Sequence, residues 1–439
     1  MGVFDHCLGG PIKDSRLGWL LGLCGLKGVG WTLGAIVLPF FARDVIGLNA
    51  TMLGVQWALN DGVQLIFTPL LGNFSDSVGR KWVIIGCVAL IGALMGLTAF
   101  CTNATEYIIV RSISGIGQGV GYGAITAMVT DLAGETERAR RLGGLFFVVG
   151  VSLVVGAGLN AMASHFLKWG YAEVLLVGMA LVCAASALSA AFMGESLSAS
   201  ERRPLCSSSE TEKEDRVWVT EWWSCGLGLV LIAKAFSACG VMCWQVTYAF
   251  FIKDAFGWDT AEFGIILAVC GLIAAVFQSI CYPVFDRAVG SHWATSACCA
   301  VFAVTCAALP GCSLSLQTQL LNHSGHLTML TIMGLATACS EVAFPNLVAT
   351  YVPQPCFMGA AQGATAAAKS VGWFVGPILG GMLYDSRGMQ IPYIVGGALS
   401  FVAASVILAS WLLLPTPSKS DVAEHISLLN GRSKFSSAS

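Results

Sequence analysis

Six ionisable residues fall inside long apolar runs of this chain: Lys27, Asp61, Arg111, Lys234, Glu341 and Lys369. A charge at bilayer depth costs at least ~2.5–3.5 kcal/mol on insertion scales, so such residues face a protein interior or a watery path and mark where ions or polar solutes pass. The basic members Lys27, Lys234 and Arg111 are suited to capturing an anion. The acids Asp61 and Glu341 are suited to exchanging protons. Each has a second reading. Lys27 contacts substrate or proton, or it forms a structural pair with Asp61. Glu341 carries a coupling proton, or it neutralises Lys234 or Lys369. Lys369 reads more readily as structural. Gln118, Tyr122, Trp244, Gln245 and Asn346 lie along the same runs. A few polar groups of this kind orient a ligand in an apolar pocket, although packing explains Trp244 equally well. No nucleophile–base pair, metal cluster or cofactor motif accompanies them, so neither an enzyme nor a cofactor is expected. The stretch GIGQGVG (115–121) has no following Lys-Ser/Thr and is not a phosphate loop.

The elements that must position these residues are membrane spans. The chain is 56% hydrophobic and 11% charged over 439 residues, with mean hydropathy +0.75. Soluble domains are roughly 25% charged. Net charge is −2, which leaves no basic footprint for nucleic acid. Seventeen cysteines sit mostly inside apolar runs, where cysteine packs as a small residue. A span needs ~20 apolar residues. Twelve are predicted, at about 17–41, 51–71, 82–102, 107–131, 142–164, 172–194, 222–252, 261–282, 292–312, 327–351, 359–384 and 392–414. The expected fold is therefore an all-α membrane protein, with six-helix bundles over 17–194 and 222–414. Short segments 1–16 and 415–439 flank them, and a polar, Ser/Glu-rich linker covers 195–221.

The two halves repeat. LPFFARDVIGLNATMLG (38–54) aligns on YAFFIKDAFGWDTAEFG (248–264) at an offset of 210, pairing Phe40 with Phe250, Asp44 with Asp254 and Arg43 with Lys253. Parallel halves of this kind place a substrate site between them near the bilayer midplane. With both ends in the cytosol, fifteen of the 23 Lys and Arg residues fall on the cytosolic side and four on the other, as the positive-inside rule requires. Sequons at Asn49, Asn103 and Asn322 then fall in non-cytosolic loops, as glycosylation would need.

GNFSDSVGRKW (72–82) resembles the cytosolic signature of the major facilitator superfamily through Gly72, Asp76, Gly79, Arg80 and Lys81. A weaker copy keeps Asp286 and Arg287. RSISGIGQGVGYG (111–123), DLAGETERARRLG (131–143) and GPILGGMLYDSRG (376–388) resemble further motifs, the last of the drug:proton antiporter branch that includes tetracycline pumps and vesicular amine transporters. The resemblance implies alternating access, with spans 1, 4, 7 and 10 lining a cavity, Arg111 aiding proton coupling, and the two loop motifs gating the conformational change. Branch members commonly carry an acid twelve residues before the proline of the first span. Counting back from Pro39 reaches Lys27 instead. Shifting Lys234 by the repeat lands one turn from Lys27, so the two lysines are expected to face each other in a positive cavity.

The expected partners are a small-molecule substrate, protons and the lipid bilayer. The substrate is expected to be an organic anion or zwitterion. A drug or organic-cation:proton antiporter is one alternative, and a non-transporting sensor or trafficking partner with the same fold is another. In the tail, Glu424, Leu428 and Leu429 fit the acidic dileucine pattern read by clathrin adaptors, which suggests an endosomal or lysosomal membrane, with the plasma membrane as the alternative.

Overall fold

The computed structural model describes residues 14–122, 124–133, 138–196, 225–314, 319–351 and 355–413. Among these residues all regular structure is helical: α1 (Ser15–Asp44), α2 (Ala50–Val78), α3 (Arg80–Thr98), α4 (Ala104–Tyr122), α5 (Ala124–Leu132), α6 (Arg138–His165), α7 (Tyr171–Phe192), α8 (Cys225–Gln245), α9 (Tyr248–Phe256), α10 (Thr260–Val289), α11 (Ser291–Leu314), α12 (Gln319–Tyr351), α13 (Pro355–Arg387) and α14 (Ile391–Leu413). α5 continues α4 and α9 continues α8, giving twelve spans. Among the described residues ten stretches are long and apolar enough to cross a membrane. The other two spans hold much of the polarity: Gln56, Asn60, Asp61 and Gln64 on α2, and Arg111, Ser112, Ser114 and Gln118 on α4.

The spans run back and forth between two faces. α1 begins and α14 ends at one, here the proximal face, and the other is the distal face. Neighbour relations repeat between halves. Span 1 packs on spans 5 and 6, span 3 on 4 and 6, and span 2 on 4. In the second half span 7 packs on 11 and 12, span 9 on 10 and 12, and span 8 on 10. Two seams join the halves, α2 against α13 and α6 against α10, and the same twofold operation exchanges them.

Lipid offers no hydrophobic drive for helix association, so small residues that let backbones approach supply the contact. At the first seam any Cβ on Gly54 would collide with the carbonyl oxygen of Pro377, and any Cβ on Gly381 with that of Ala50. At the second seam a Cβ on Gly264 would meet the Ala157 carbonyl oxygen at 2.8 Å and the Ala161 amide at 3.1 Å. These contacts crowd toward the distal face.

The first residue of the expected linker is Glu195. Glu195 accepts from the backbone amides of Arg80 (3.0 Å) and Lys81 (3.1 Å). A carboxylate there answers the free N–H groups at the N-terminus of α3, which holds the residue to the fold. Residues 197–221 of the linker, and the tail with Glu424, Leu428 and Leu429, lie outside the described residues.

Candidate functional site

The site is built by one packing ridge. Gly372, Gly376 and Gly380 recur every four residues along α13 and lie against the backbone of Ala235, Cys239 and Cys243 on α8. That close approach brings Lys369 and Trp373, near the start of the ridge, beside Lys234. α12 supplies Glu341 between the two lysines. Lys234 Nζ donates to Glu341 Oε1 at 3.0 Å, and Lys369 Nζ donates to Glu341 Oε2 at 2.6 Å. Each ammonium also lies over an aromatic face: Lys234 over Phe344 at 4.7 Å and Lys369 over Trp373 at 4.4 Å. Cation–π contact of this kind stabilises a charge that water reaches poorly.

The triad lines a cavity of ≈ 270 Å³ together with Ser237, Gln245, Thr337, Ser340 and Trp373. Two ammoniums share one carboxylate, so the triad carries one net positive charge. Hydroxyl and amide groups around it add donors and acceptors. Such a lining can hold a single anionic group. Asp61, on α2 of the other half, is within electrostatic reach of Lys369 across the seam, where its neighbour Gly62 faces the Phe374 ring.

The expected pairing of Lys27 with Asp61 is not made. α1 packs on α6 and α7, whereas α2 packs on α4 and α13, so the two side chains belong to different neighbourhoods. Lys27 and Arg111 form no ion pair among the described residues, and neither lines the cavity that Lys234 lines. The facing lysines expected from the repeat are thus not brought together in this cavity, whose lining comes from α8, α12 and α13 alone. Arg111 is buried in α4 with its Nε unpartnered, and its carbonyl accepts from Asn60 at 2.8 Å. Gln118 bonds Ser114 at 3.3 Å. Gln245 lines the cavity. Trp244 packs into a distal aromatic cluster, 5.4 Å from Tyr248 and 6.5 Å from Tyr393, with its Nε1 buried and unpartnered. Asn346 is exposed on α12 and does not line the cavity. The side chains of Tyr122 and Asn322 lie outside the described set.

At the proximal face Gly72 lies in the last two turns of α2, and Gly79, at φ 116°, turns the chain from α2 into α3. Arg80 pairs with Asp76 at 3.0 Å and with Asp131. Both partners are in the first half. Lys81 lies over Trp82 at 4.9 Å. In the second copy Asp286 accepts from Tyr282 at 3.3 Å, and Arg287 stands in the last turn of α10. Asn49 and Asn103 are exposed at the distal face, each capping the helix that follows.

The Major Facilitator Superfamily profile matches residues 20–354 and 230–437. The chain belongs to this superfamily. Over 403 residues it is 27% identical to the class C tetracycline resistance protein of Escherichia coli, covering 87% of this chain and 94% of that one. It is 22% identical over 374 residues to multidrug resistance protein 2 of Bacillus subtilis (strain 168), covering 85% and 89%. Among solved structures, a bacterial homologue of the human lysosomal transporter Spinster, inward-facing and unoccupied, superposes with TM-score 0.72 at 14% identity, covering 92% of this chain and 98% of that one. The human organic anion transporter MFSD10 superposes at 0.59 with 18% identity, covering 90% and 100%. These likenesses show the fold: twelve spans in two six-helix bundles. The superfamily is one of transporters rather than enzymes.

Sequence reasoning missed Trp373, Ser237, Thr337 and Ser340. Trp373 had a signal, since it stands one helical turn after Lys369. It also passed over the charge-bearing ends of α1 and α9, although the repeat had already aligned them.

Proposed function

We propose that this transporter is secondary active and carries a small organic anion or zwitterion by alternating access, driven by protons. The observation that carries the reading is the Lys234–Glu341–Lys369 triad, with its net positive charge, on the wall of the cavity. At ≈ 270 Å³ the cavity is small, just below the roughly 300–1,000 Å³ usual for small-molecule sites. That size suits a metabolite rather than a drug-sized molecule. Glu341 is held by two lysines. Asp61 makes no hydrogen bond or ion pair among the described residues. Asp61 is therefore the better candidate to exchange a proton, and Lys369 is the group that feels the change. In this reading the proximal face is cytosolic, the substrate and protons are the small partners, and the tail addresses the protein to endosomal or lysosomal membrane through a clathrin adaptor.

A second reading, drug or organic cation:proton antiport, is favoured by the names of the tetracycline and multidrug resistance relatives. A thermal-shift panel separates the two. Lactate, benzoate, glutamate, tetraphenylphosphonium and tetracycline are tested on wild type and Lys369→Gln. A ligand that binds the folded state raises the melting temperature, by an amount that grows with the logarithm of its concentration above Kd. Anions that stabilise only the wild type support the anion site. Cations that stabilise both proteins alike support antiport. Acid-driven uptake of the stabilising anion into proteoliposomes, lost in Asp61→Asn while exchange persists, assigns the proton.

A further inference from the structure

The three charges on the cavity wall are not equally free to meet a ligand. Both oxygens of Glu341 are taken: Oε1 accepts from Lys234 and Oε2 from Lys369. Lys234 is buried on α8, lies over the Phe344 ring and has Glu341 as its one carboxylate among the described residues. Parting that pair strands a buried ammonium, so Glu341 stays in place when a ligand arrives. Lys369 on α13 is part-exposed. An ammonium has three donors, and Glu341 uses one of them. A ligand carboxylate therefore joins Lys369 beside Glu341 rather than displacing it.

The rest of the lining offers little to a second anionic group. Thr337 donates its hydroxyl proton to the Met333 carbonyl at 2.9 Å, and Ser340 donates to the Thr337 carbonyl at 2.8 Å. What these two hydroxyls turn to the cavity is lone pairs. Ala238, Val241 and Met242 add apolar surface, and the neutral donors left are Ser237 and Gln245. Glu341, with its side chain 44% exposed, lines the same space and repels a further negative charge there.

We infer that Glu341 sets the charge of the substrate: the site takes a ligand with a single anionic group, a monocarboxylate bound through Lys369, and rejects dicarboxylates. The inference rests on the anion reading of this cavity and adds the residue that chooses among anions. Two lysines and Glu341 leave one positive charge, which a monocarboxylate cancels. A second carboxylate on the ligand finds no cation of its own in the triad and a fixed carboxylate beside it, and a part-buried charge without a partner is costly. Specificity of this kind comes from the repulsive element as much as from the attractive one. Glu341 is thus a fixed counter-charge, and proton exchange is left to Asp61.

Ligands that keep one skeleton and step the charge test this. Lactamide, lactate and malate are neutral, singly and doubly negative near neutral pH, and benzamide, benzoate and phthalate repeat the series on a ring. Dissociation constants come from the concentration dependence of the melting temperature of the full-length protein. Asp61 is within reach of Lys369, so the parent protein carries Asp61→Asn, which holds that position at zero charge. The parent should bind each monocarboxylate on the order of tenfold more tightly than its dicarboxylate or its amide, the size of one charge-assisted hydrogen bond. Adding Glu341→Gln leaves two positive charges and should move the preference toward the dicarboxylate by on the order of tenfold. Adding Lys234→Met leaves no net charge and should bring the monocarboxylate down to the level of the amide. That variant keeps every remaining charge paired, so it answers the question even if Glu341→Gln fails to fold. A parent that holds malate and phthalate as tightly as lactate and benzoate would overturn the inference. So would a folded Glu341→Gln protein with the parent's preference, or a Lys234→Met protein that still favours the monocarboxylate over the amide. Each of those results leaves the anion reading standing. Melting temperatures that no anion moves, in any of the three proteins, would remove the anion reading and the charge selection together.

Discussion

The triad predicts an asymmetry that additive thinking would miss. Lys234 is the buried member, with its side chain 4% exposed, against 44% for Glu341 and 26% for Lys369. Its only carboxylate among the described residues is Glu341. Glu341, by contrast, has two lysines. Glu341→Gln therefore leaves a buried ammonium with a neutral amide and the Phe344 ring for company. Breaking a fully buried pair costs about 3–5 kcal/mol. Glu341 is part-exposed and the amide still accepts a hydrogen bond, which reduces the expected cost to about 2–3 kcal/mol. Lys234→Met removes the charge that is expensive to bury, and Glu341 keeps Lys369, so the cost is about 1 kcal/mol. In the double variant Lys234→Met/Glu341→Gln no buried charge is orphaned. Lys369 stays over Trp373 and is part-exposed, so the total stays near 1 kcal/mol, below that of Glu341→Gln alone.

The coupling energy is thus about −2 to −3 kcal/mol, well outside the ~0.3–0.5 kcal/mol within which independent sites add. At roughly 2 °C per kcal/mol, the lower end of the scale for long chains, Glu341→Gln melts ~4–6 °C below wild type and the double variant only ~2 °C below. Intrinsic-fluorescence melting of purified protein at one scan rate reads this, and the fixed rate matters because large proteins unfold irreversibly. A double variant that melts below Glu341→Gln would refute the reasoning. It would mean that Lys234 is satisfied without Glu341.

Other expectations follow from single contacts. Gly54→Val drives a side chain into the Pro377 carbonyl; it should lower the melting point by the equivalent of about 1–3 kcal/mol. Gly62→Ala, whose Cβ would meet only the Phe374 ring at 3.2 Å, should lower it far less on the same scan. Asp385→Ala removes the bonds to Thr51 and Ala50 at the start of α2, with an expected loss of about 1 kcal/mol as for a deleted helix cap. Expressed in a eukaryotic secretory membrane, the protein should shift in mass on treatment with peptide N-glycosidase. The shift should shrink stepwise in Asn49→Gln and Asn103→Gln; no shift in wild type would remove the glycosylation expectation at these sites.

The helices were legible because the bilayer demands long apolar runs, and the charges inside those runs pointed to the interior. The partners of the charges were not legible. Lys27 and Asp61 look adjacent when spans 1 and 2 are read in order, yet this fold sends α1 to α6 and α7, and α2 to α13. Pairing follows helix neighbours, which chain order conceals. Lys369 reads as structural from the sequence for the same reason. Only the glycine ridge of α13, reading Gly372, Gly376 and Gly380 against α8, shows that it must stand beside Lys234.

The repeat teaches a subtler lesson. Aligning Arg43-Asp44 with Lys253-Asp254 says that the residues are equivalent, and equivalence alone does not bring residues into contact. Residues far from a twofold axis never meet their counterparts. Residues near it meet them in a crossed sense, residue i on one side against j on the other and j against i. A cation followed by an acid is the order that such a crossing turns into two attractions. Two like charges in succession would turn both contacts into repulsions. The order Phe-x-x-cation-acid in both halves is therefore self-complementary once it sits on the axis, and the described contacts, Arg43 with Asp254 and Lys253 with Asp44, are what that order requires.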